Sequence, residues 1–189
     1  MRIGLLGGSF DPPHNGHLLA AGDVYEALAL DRVVFIPAAV QPLKGSAGAT
    51  TEQRLEMVER LVDGDSRFEV STVEIERGGL SYTVDTLTTL AACWPLSELF
   101  WLVGGDVPQS FSRWRDPARI TEIATLVVMD RAGEPPDVSQ VPGRVIAVAT
   151  RRVDVSSTEI RRRVHEGRSI RGFVPDRVEE YIASERLYR

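Results

Sequence analysis

His14 and His17 stand three residues apart at the close of the stretch GGSFDPPHNGH, residues 7–17. Three residues apart at the start of a helix, the two imidazoles share one face. They also sit near the positive end of the helix dipole, where anions are favoured. Gly7 and Gly8 let a ligand approach the backbone closely, and Ser9 with the N–H groups after it can donate to phosphate. Pro12 and Pro13 stiffen the turn. The chemistry this suggests is stabilisation of charge on a phosphoryl group. Taken alone, the same residues also read as a histidine pair that only caps a helix.

Three further stretches carry groups of the same kind. Ser156, Ser157 and Thr158 precede an amphipathic run, and Arg161 follows one turn later, so hydroxyls, N–H groups and a guanidinium can converge on phosphate. The plainer account is a capped helix with a solvated basic face at Arg161, Arg162 and Arg163. Lys44 lies in a loop with Pro42, Gly45 and Gly48, where it can clamp phosphate or simply be solvated. Asp106, after Gly104 and Gly105, suits ribose hydroxyls as acidic residues at strand ends do, or caps the next helix. Residues 81–86, SYTVDT, hold more polar groups than capping explains. Trp114, between Arg113 and Arg115, can stack on a flat ring, and Arg131 at a strand end is a candidate anion partner. His165 reads as surface, Cys93 as a small buried apolar residue, and Phe35, Phe68, Phe100, Trp101 and Met129 as core.

Several chemistries find no residues here. No glycine-rich run ends in Gly-Lys-Ser/Thr, and there is no dinucleotide glycine triplet, HExxH helix or serine elbow. Covalent catalysis has no obvious nucleophile. Phosphoryl chemistry by positioning and charge stabilisation needs none.

The elements that must position these groups follow from the apolar pattern. Residues 3–6, 33–36, 99–103, 126–129 and 145–148 are short apolar runs of buried-strand type, and residues 68–75 alternate as a strand whose faces are ambiguous. Helices are expected from residue 18 to 28, from a Thr50–Gln53 capping box to residue 62, and over 82–93, 117–124 and 156–165. A last helix runs from Pro175 to Ile182. Strands alternate with helices, which predicts an α/β fold: a Rossmann-like, mostly parallel sheet with helices on both faces, in one domain spanning residues 1–189. In such a sheet ligands bind beyond the carboxyl ends of the strands. GGSFDPPHNGH, the Lys44 loop, GGD at residues 104–106 and VSSTEIR at residues 155–161 all come after such apolar runs.

The chain has 189 residues, 43% hydrophobic and 26% charged, with a net charge of −5. No long basic run is present, which argues against nucleic acid as a partner. The single cysteine excludes an internal disulfide and any multi-cysteine zinc site. The first apolar run is too short for a signal h-region or a membrane span. The expectation is a cytoplasmic protein with no membrane partner; assembly into a homo-oligomer is left open.

Taken together, these motifs resemble the bacterial nicotinate-nucleotide adenylyltransferases, within the HxGH nucleotidyltransferase superfamily. GGSFDPPHNGH is similar to the family's first signature, with His14-Asn15-Gly16-His17 as its HxGH. VSSTEIR, residues 155–161, is similar to the superfamily's ISSTxxR. SYTVDTL, residues 81–87, resembles a stretch characteristic of the nicotinate branch. GGD, Trp114 and the ending from Tyr181-Ile182 to Leu187-Tyr188 fall in family order. The resemblance covers essentially the whole chain. Two departures stand out. The loop after the second strand often reads Pro-Pro-His-Lys in relatives but here reads Gln41-Pro42-Leu43-Lys44. Arg115 stands where relatives often carry tyrosine or another residue.

The resemblance implies transfer of AMP from ATP to nicotinate mononucleotide, giving deamido-NAD and pyrophosphate in NAD biosynthesis. It implies that His14, His17, Lys44 and Arg161 are catalytic and that Gly7, Gly8, Ser9, Phe10, Gly104, Asp106, Ser156, Ser157 and Thr158 bind ATP. Thr83, Asp85, Trp114, Arg115 and Arg131 would bind nicotinate mononucleotide, Arg115 either at its carboxylate or merely facing water. Mg²⁺ would be held mainly by the ATP phosphates, with no protein ligand assigned. The enzyme rivals are other HxGH adenylyltransferases acting on nicotinamide mononucleotide or a pantetheine phosphate. A module that senses ATP or NAD without turnover is the alternative from another class.

Overall fold

The structure is a computed structural model that describes residues 1–42, 48–130, 137–139 and 141–189. Six strands form one sheet: β1 Arg2–Gly8, β2 Arg32–Pro37, β3 Phe68–Val70, β4 Glu98–Gly104, β5 Thr125–Asp130 and β6 Val145–Ala149. Their order is β3-β2-β1-β4-β5-β6, and every pairing is parallel. The order reverses between β1 and β4, and in sheets of this kind ligands bind beyond the carboxyl ends of the strands at such a switch point.

Alternation along the strands makes two apolar layers, as side chains of successive residues point to opposite faces. One face carries Leu6, Val33, Phe35, Phe100, Leu102, Val127 and Met129. It packs against α1 Asn15–Ala27, α2 Thr51–Val62, α6 Ser157–His165 and α7 Asp176–Ser184. The other carries Ile3, Leu5, Val34, Ile36, Leu99, Trp101, Val103, Leu126 and Val128, covered by α4 Thr83–Cys93 and α5 Pro117–Ile123. Two-sided burial is why these strands read as near-continuous apolar runs. Phe35, Phe68, Phe100, Trp101 and Met129 are core, as expected. The Thr50–Gln53 capping box opens α2, with bonds of 3.0 and 3.3 Å. Among the described residues, no helix is long and apolar enough to cross a membrane.

Two expectations need correction. Residues 68–75 do not form one strand: β3 stops at Val70, and Val73–Arg77 is a short helix, α3. The ladder explains the stop. Val33 N–H donates to Arg67 and Ser71 N–H to Phe35, so the next donor on β2 would be residue 37, a proline with no N–H. Cys93 is exposed rather than buried. The buried residues of α4 are Val84, Thr86, Leu87 and Leu90, and position 93 is its last residue, one turn beyond the part that is covered.

Candidate active site

The loop after β1 leads into α1 through the two histidines. His14 is the N-cap residue, and its N–H donates to His17 Nδ1 at 3.2 Å. The two rings stack with centroids 3.7 Å apart, and Phe10 meets His17 edge-on at 5.1 Å. Gly16 is what permits this packing, because a Cβ there would lie 3.0 Å from His14 Nδ1. The cap and the catalytic expectation are therefore compatible. With Nδ1 accepting, the neutral His17 ring carries its proton on Nε2 and presents that N–H as a donor. His14 is buried and His17 half-buried, and the first turn of α1 holds no acidic residue to neutralise the helix end. Gly7 also serves packing: a Cβ there would meet the Trp101 indole at 2.8 Å. Phe10 is buried beside Gly8.

The second motif is folded onto the first. Ser157 Oγ donates to the carbonyl of Pro12 at 2.8 Å, 145 residues away in sequence. Arg161 Nη1 donates to the carbonyl of Asp11 at 2.7 Å, and Nη2 reaches Thr158 Oγ1 at 3.4 Å. Ser156 Oγ caps α6 by accepting from Glu159 N–H at 3.2 Å, which leaves its O–H to donate. Asp106 is exposed just beyond the end of β4, its Oδ1 2.7 Å from where a Gly104 Cβ would stand. It does not cap the following 3-10 turn, whose cap residue is Val107.

The start of α4 gathers the remaining candidates. Thr83 and Asp85 lie half-buried in its first turn. Arg115 Nη1 approaches Asp85 Oδ2 at 3.5 Å, and its guanidinium lies 4.8 Å from the Tyr82 ring centre. Trp114 is half-buried, its ring 5.3 Å from that of Phe111. Lys44, Arg131 and Leu43 lie outside the described residues.

Sequence reasoning missed three buried groups that hold these parts together. Asp11 accepts from Gly48 N–H at 2.7 Å and Ala49 N–H at 3.0 Å. Arg54 donates to the carbonyls of Ser9 at 2.8 Å and Ala39 at 3.1 Å. Burial lowers its pKa, opposed by the charge of Asp11. Its signal was available: position 54 lies on the buried stripe with Met57, Val58 and Leu61. Glu74, in α3, accepts from Thr86 Oγ1 at 2.7 Å, and Arg77 donates to the same hydroxyl at 2.9 Å. Burial raises the Glu74 pKa, opposed by hydrogen bonds from Thr86 and Ser81 and by Arg77. Ser81 Oγ in turn accepts from Ala39 N–H at 3.0 Å. Ala39 thus joins the two halves, with Arg54 on its carbonyl and Ser81 on its N–H.

Around the β1 loop the side chains offered are imidazole, guanidinium and hydroxyl, which suit a polyanion. Among the described residues, no group of three or more His, Cys, Asp or Glu is placed to hold a metal ion.

Residues 5–163 match the cytidylyltransferase-like family. The chain is 52% identical to a "probable nicotinate-nucleotide adenylyltransferase" of Gemmatimonas aurantiaca, covering 100% of this chain and 93% of that one. It is 48% identical to one of Thermus thermophilus, covering both chains fully. A Plasmodium falciparum nicotinic acid mononucleotide adenylyltransferase complexed with NaAD superposes with a TM-score of 0.80, covering 99% of this chain and 97% of that one. At 17% identity, that likeness shows the fold. With the two motifs in contact and the relatives matching over its full length, the chain belongs to the nicotinate-nucleotide adenylyltransferases of the cytidylyltransferase-like family.

Proposed function

We propose that this enzyme transfers AMP from ATP to nicotinate mononucleotide, releasing pyrophosphate and forming deamido-NAD, within one nucleotidyltransferase domain over residues 1–189. A phosphate oxygen of the mononucleotide forms a bond to the α-phosphorus as the bond from that phosphorus to the pyrophosphate oxygen breaks, in line. The nucleophile is already anionic, so no general base is required. The task is to bring two polyanions together and neutralise the charge that moves onto the leaving group.

The observation that carries this reading is the Ser157–Pro12 bond, which sets the starts of α1 and α6 side by side at the switch point of the sheet. In this arrangement His17 Nε2–H, His14, Arg161 and the N–H groups at both helix starts face the triphosphate. Lys44 completes the set as a clamp. Gly7, Gly8, Ser9, Phe10, Gly104, Asp106, Ser156, Ser157 and Thr158 bind the rest of ATP, with Asp106 on the ribose. Thr83, Asp85, Trp114, Arg115 and Arg131 receive the mononucleotide, Trp114 against its pyridine ring. No protein ligand is assigned to Mg²⁺, which would be held mainly by the ATP phosphates and would offset their charge. The reading places the enzyme in the cytoplasm.

The test is pyrophosphate release from ATP and Mg²⁺ with three acceptors in parallel: nicotinate mononucleotide, nicotinamide mononucleotide and 4′-phosphopantetheine. The expected result is fastest release with nicotinate mononucleotide. Saturable ATP binding with no product from any acceptor would leave a sensing module instead.

A further inference from the structure

Leu187-Tyr188 takes no part in the reaction as derived above, yet its tyrosine reaches the β1 loop. Tyr188 O–H donates to Asp11 Oδ1 at 2.8 Å across 177 residues of sequence. That carboxylate is 5% exposed and also accepts from Gly48 and Ala49, the residues that lead into α2. Arg161 bonds the Asp11 carbonyl, and its guanidinium lies 3.7 Å from Asp11 Oδ2. Tyr188, Asp11, the approach to α2 and Arg161 therefore form one cluster drawn from four separate parts of the chain.

Several local features hold the tyrosine there. Its ring lies on Gly48, where a Cβ would come within 3.2 Å of it. Its own φ is +61°, the left-handed region that non-glycine residues seldom occupy, so packing overrides the local backbone preference. Burial pushes the phenol pKa far up, and Asp11 raises it further, so the group stays an O–H donor.

We propose that Tyr188 is a positioning residue for ATP. By donating to Asp11 it fixes that carboxylate, and through it the Gly48–Ala49 turn and the Arg161 guanidinium, in the arrangement that receives the triphosphate. The inference rests on the functional reading above, with Arg161 on ATP.

Tyr188→Phe keeps the ring on Gly48 and removes only the O–H. Calorimetric titration with ATP and Mg²⁺, and separately with nicotinate mononucleotide, reads each half of the site without turnover. The ATP Kd should rise about tenfold, because losing a bond to a carboxylate depopulates the competent arrangement. The mononucleotide Kd should stay within about twofold of wild type. Tyr181→Phe, a matched change on α7, should alter neither. Adding Asp11→Asn should make the tyrosine change nearly silent, since the two act as one unit. An unchanged ATP Kd in Tyr188→Phe, equal weakening of both ligands, or full additivity with Asp11→Asn each overturns the proposal while the functional reading stands. A wild-type chain that binds no ATP overturns both. If Asp11→Asn does not fold, the split between the two ligands in Tyr188→Phe decides.

Discussion

Around the β1 loop, residues far apart in sequence converge on a few acceptors: Arg54 on the Ser9 carbonyl, Ser157 on that of Pro12, Arg161 on that of Asp11, and Tyr188 on the Asp11 carboxylate. These bonds run from 2.7 to 2.8 Å, and Asp11, His14 and Arg54 are buried. At the start of α4 the bracing is the buried bond from Thr86 on the helix to Glu74 of α3. The groups facing outward are looser. Arg115 approaches Asp85 at 3.5 Å with its side chain 59% exposed. A site that stabilises charge gains from donors already in place, since water and side chains need not reorganise during the reaction. A surface that sorts one planar substrate from another can rest on stacking and on an exposed charge. The first half should therefore govern rate and the binding of ATP, and the second affinity and selectivity for the mononucleotide.

The largest test of that division is His17→Ala. It removes both the Nε2 donor and the cap on His14 N–H, and kcat should fall by about 10²–10³-fold while KM for nicotinate mononucleotide changes little. Steady-state kinetics decide it, and a loss below about tenfold would contradict the charge-stabilising role. On the other side, Trp114→Ala should raise KM for nicotinate mononucleotide about tenfold, the weight of one stacking contact. The division fails here if kcat takes the loss instead. Arg115→Ala should act more weakly, by roughly three- to fivefold, because an exposed guanidinium is well screened. Its effect should appear as a lower preference for the acid over the amide substrate, measured as a ratio of kcat/KM values. An unchanged ratio would assign Arg115 to solvent.

The smallest effect expected lies behind α1. Asp23 accepts from Arg151 at 2.6 to 3.1 Å and is 13% exposed, and this bonding lowers its pKa. A carboxyl with a depressed folded pKa adds stability above its unfolded value and loses it as pH falls through the folded one. Wild type should thus lose stability relative to Asp23→Asn as pH drops below 3.8, by less than about 1 kcal/mol given the exposure of Arg151. Denaturant unfolding at neutral and acid pH measures this. A difference between the two proteins that is the same at both pH values would remove Asp23 from the account.

Much of the candidate site was legible as motifs because these are local. HNGH, SSTEIR and SYTVDT each fit within a few turns, follow an apolar run or open a helix, and use residue types with known phosphate or capping chemistry. The strand at residues 68–75 was misread for a related reason: alternation there is real, but the ladder ends where Pro37 stands on a neighbouring strand. Cys93 was misjudged because its type is usually buried, whereas its place at the end of α4 is not.

By itself the sequence determined the alternation of strands and helices, the apolar runs that become a sheet covered on both faces, and the polar stretches at the strand ends. Those features depend on spacings of two to four residues, which local geometry sets. Only the tertiary structure decided that β1 and β4 lie side by side at the switch point. The same holds for Ser157 meeting Pro12, for Glu74 bracing α4, and for Asp11 gathering Gly48, Ala49 and Tyr188 around one carboxylate. These contacts join residues as much as 177 apart, and neither partner carries a local mark of the other. Burial selects them, because a carboxylate or guanidinium enclosed in the fold must find its donors or acceptors wherever packing brings them.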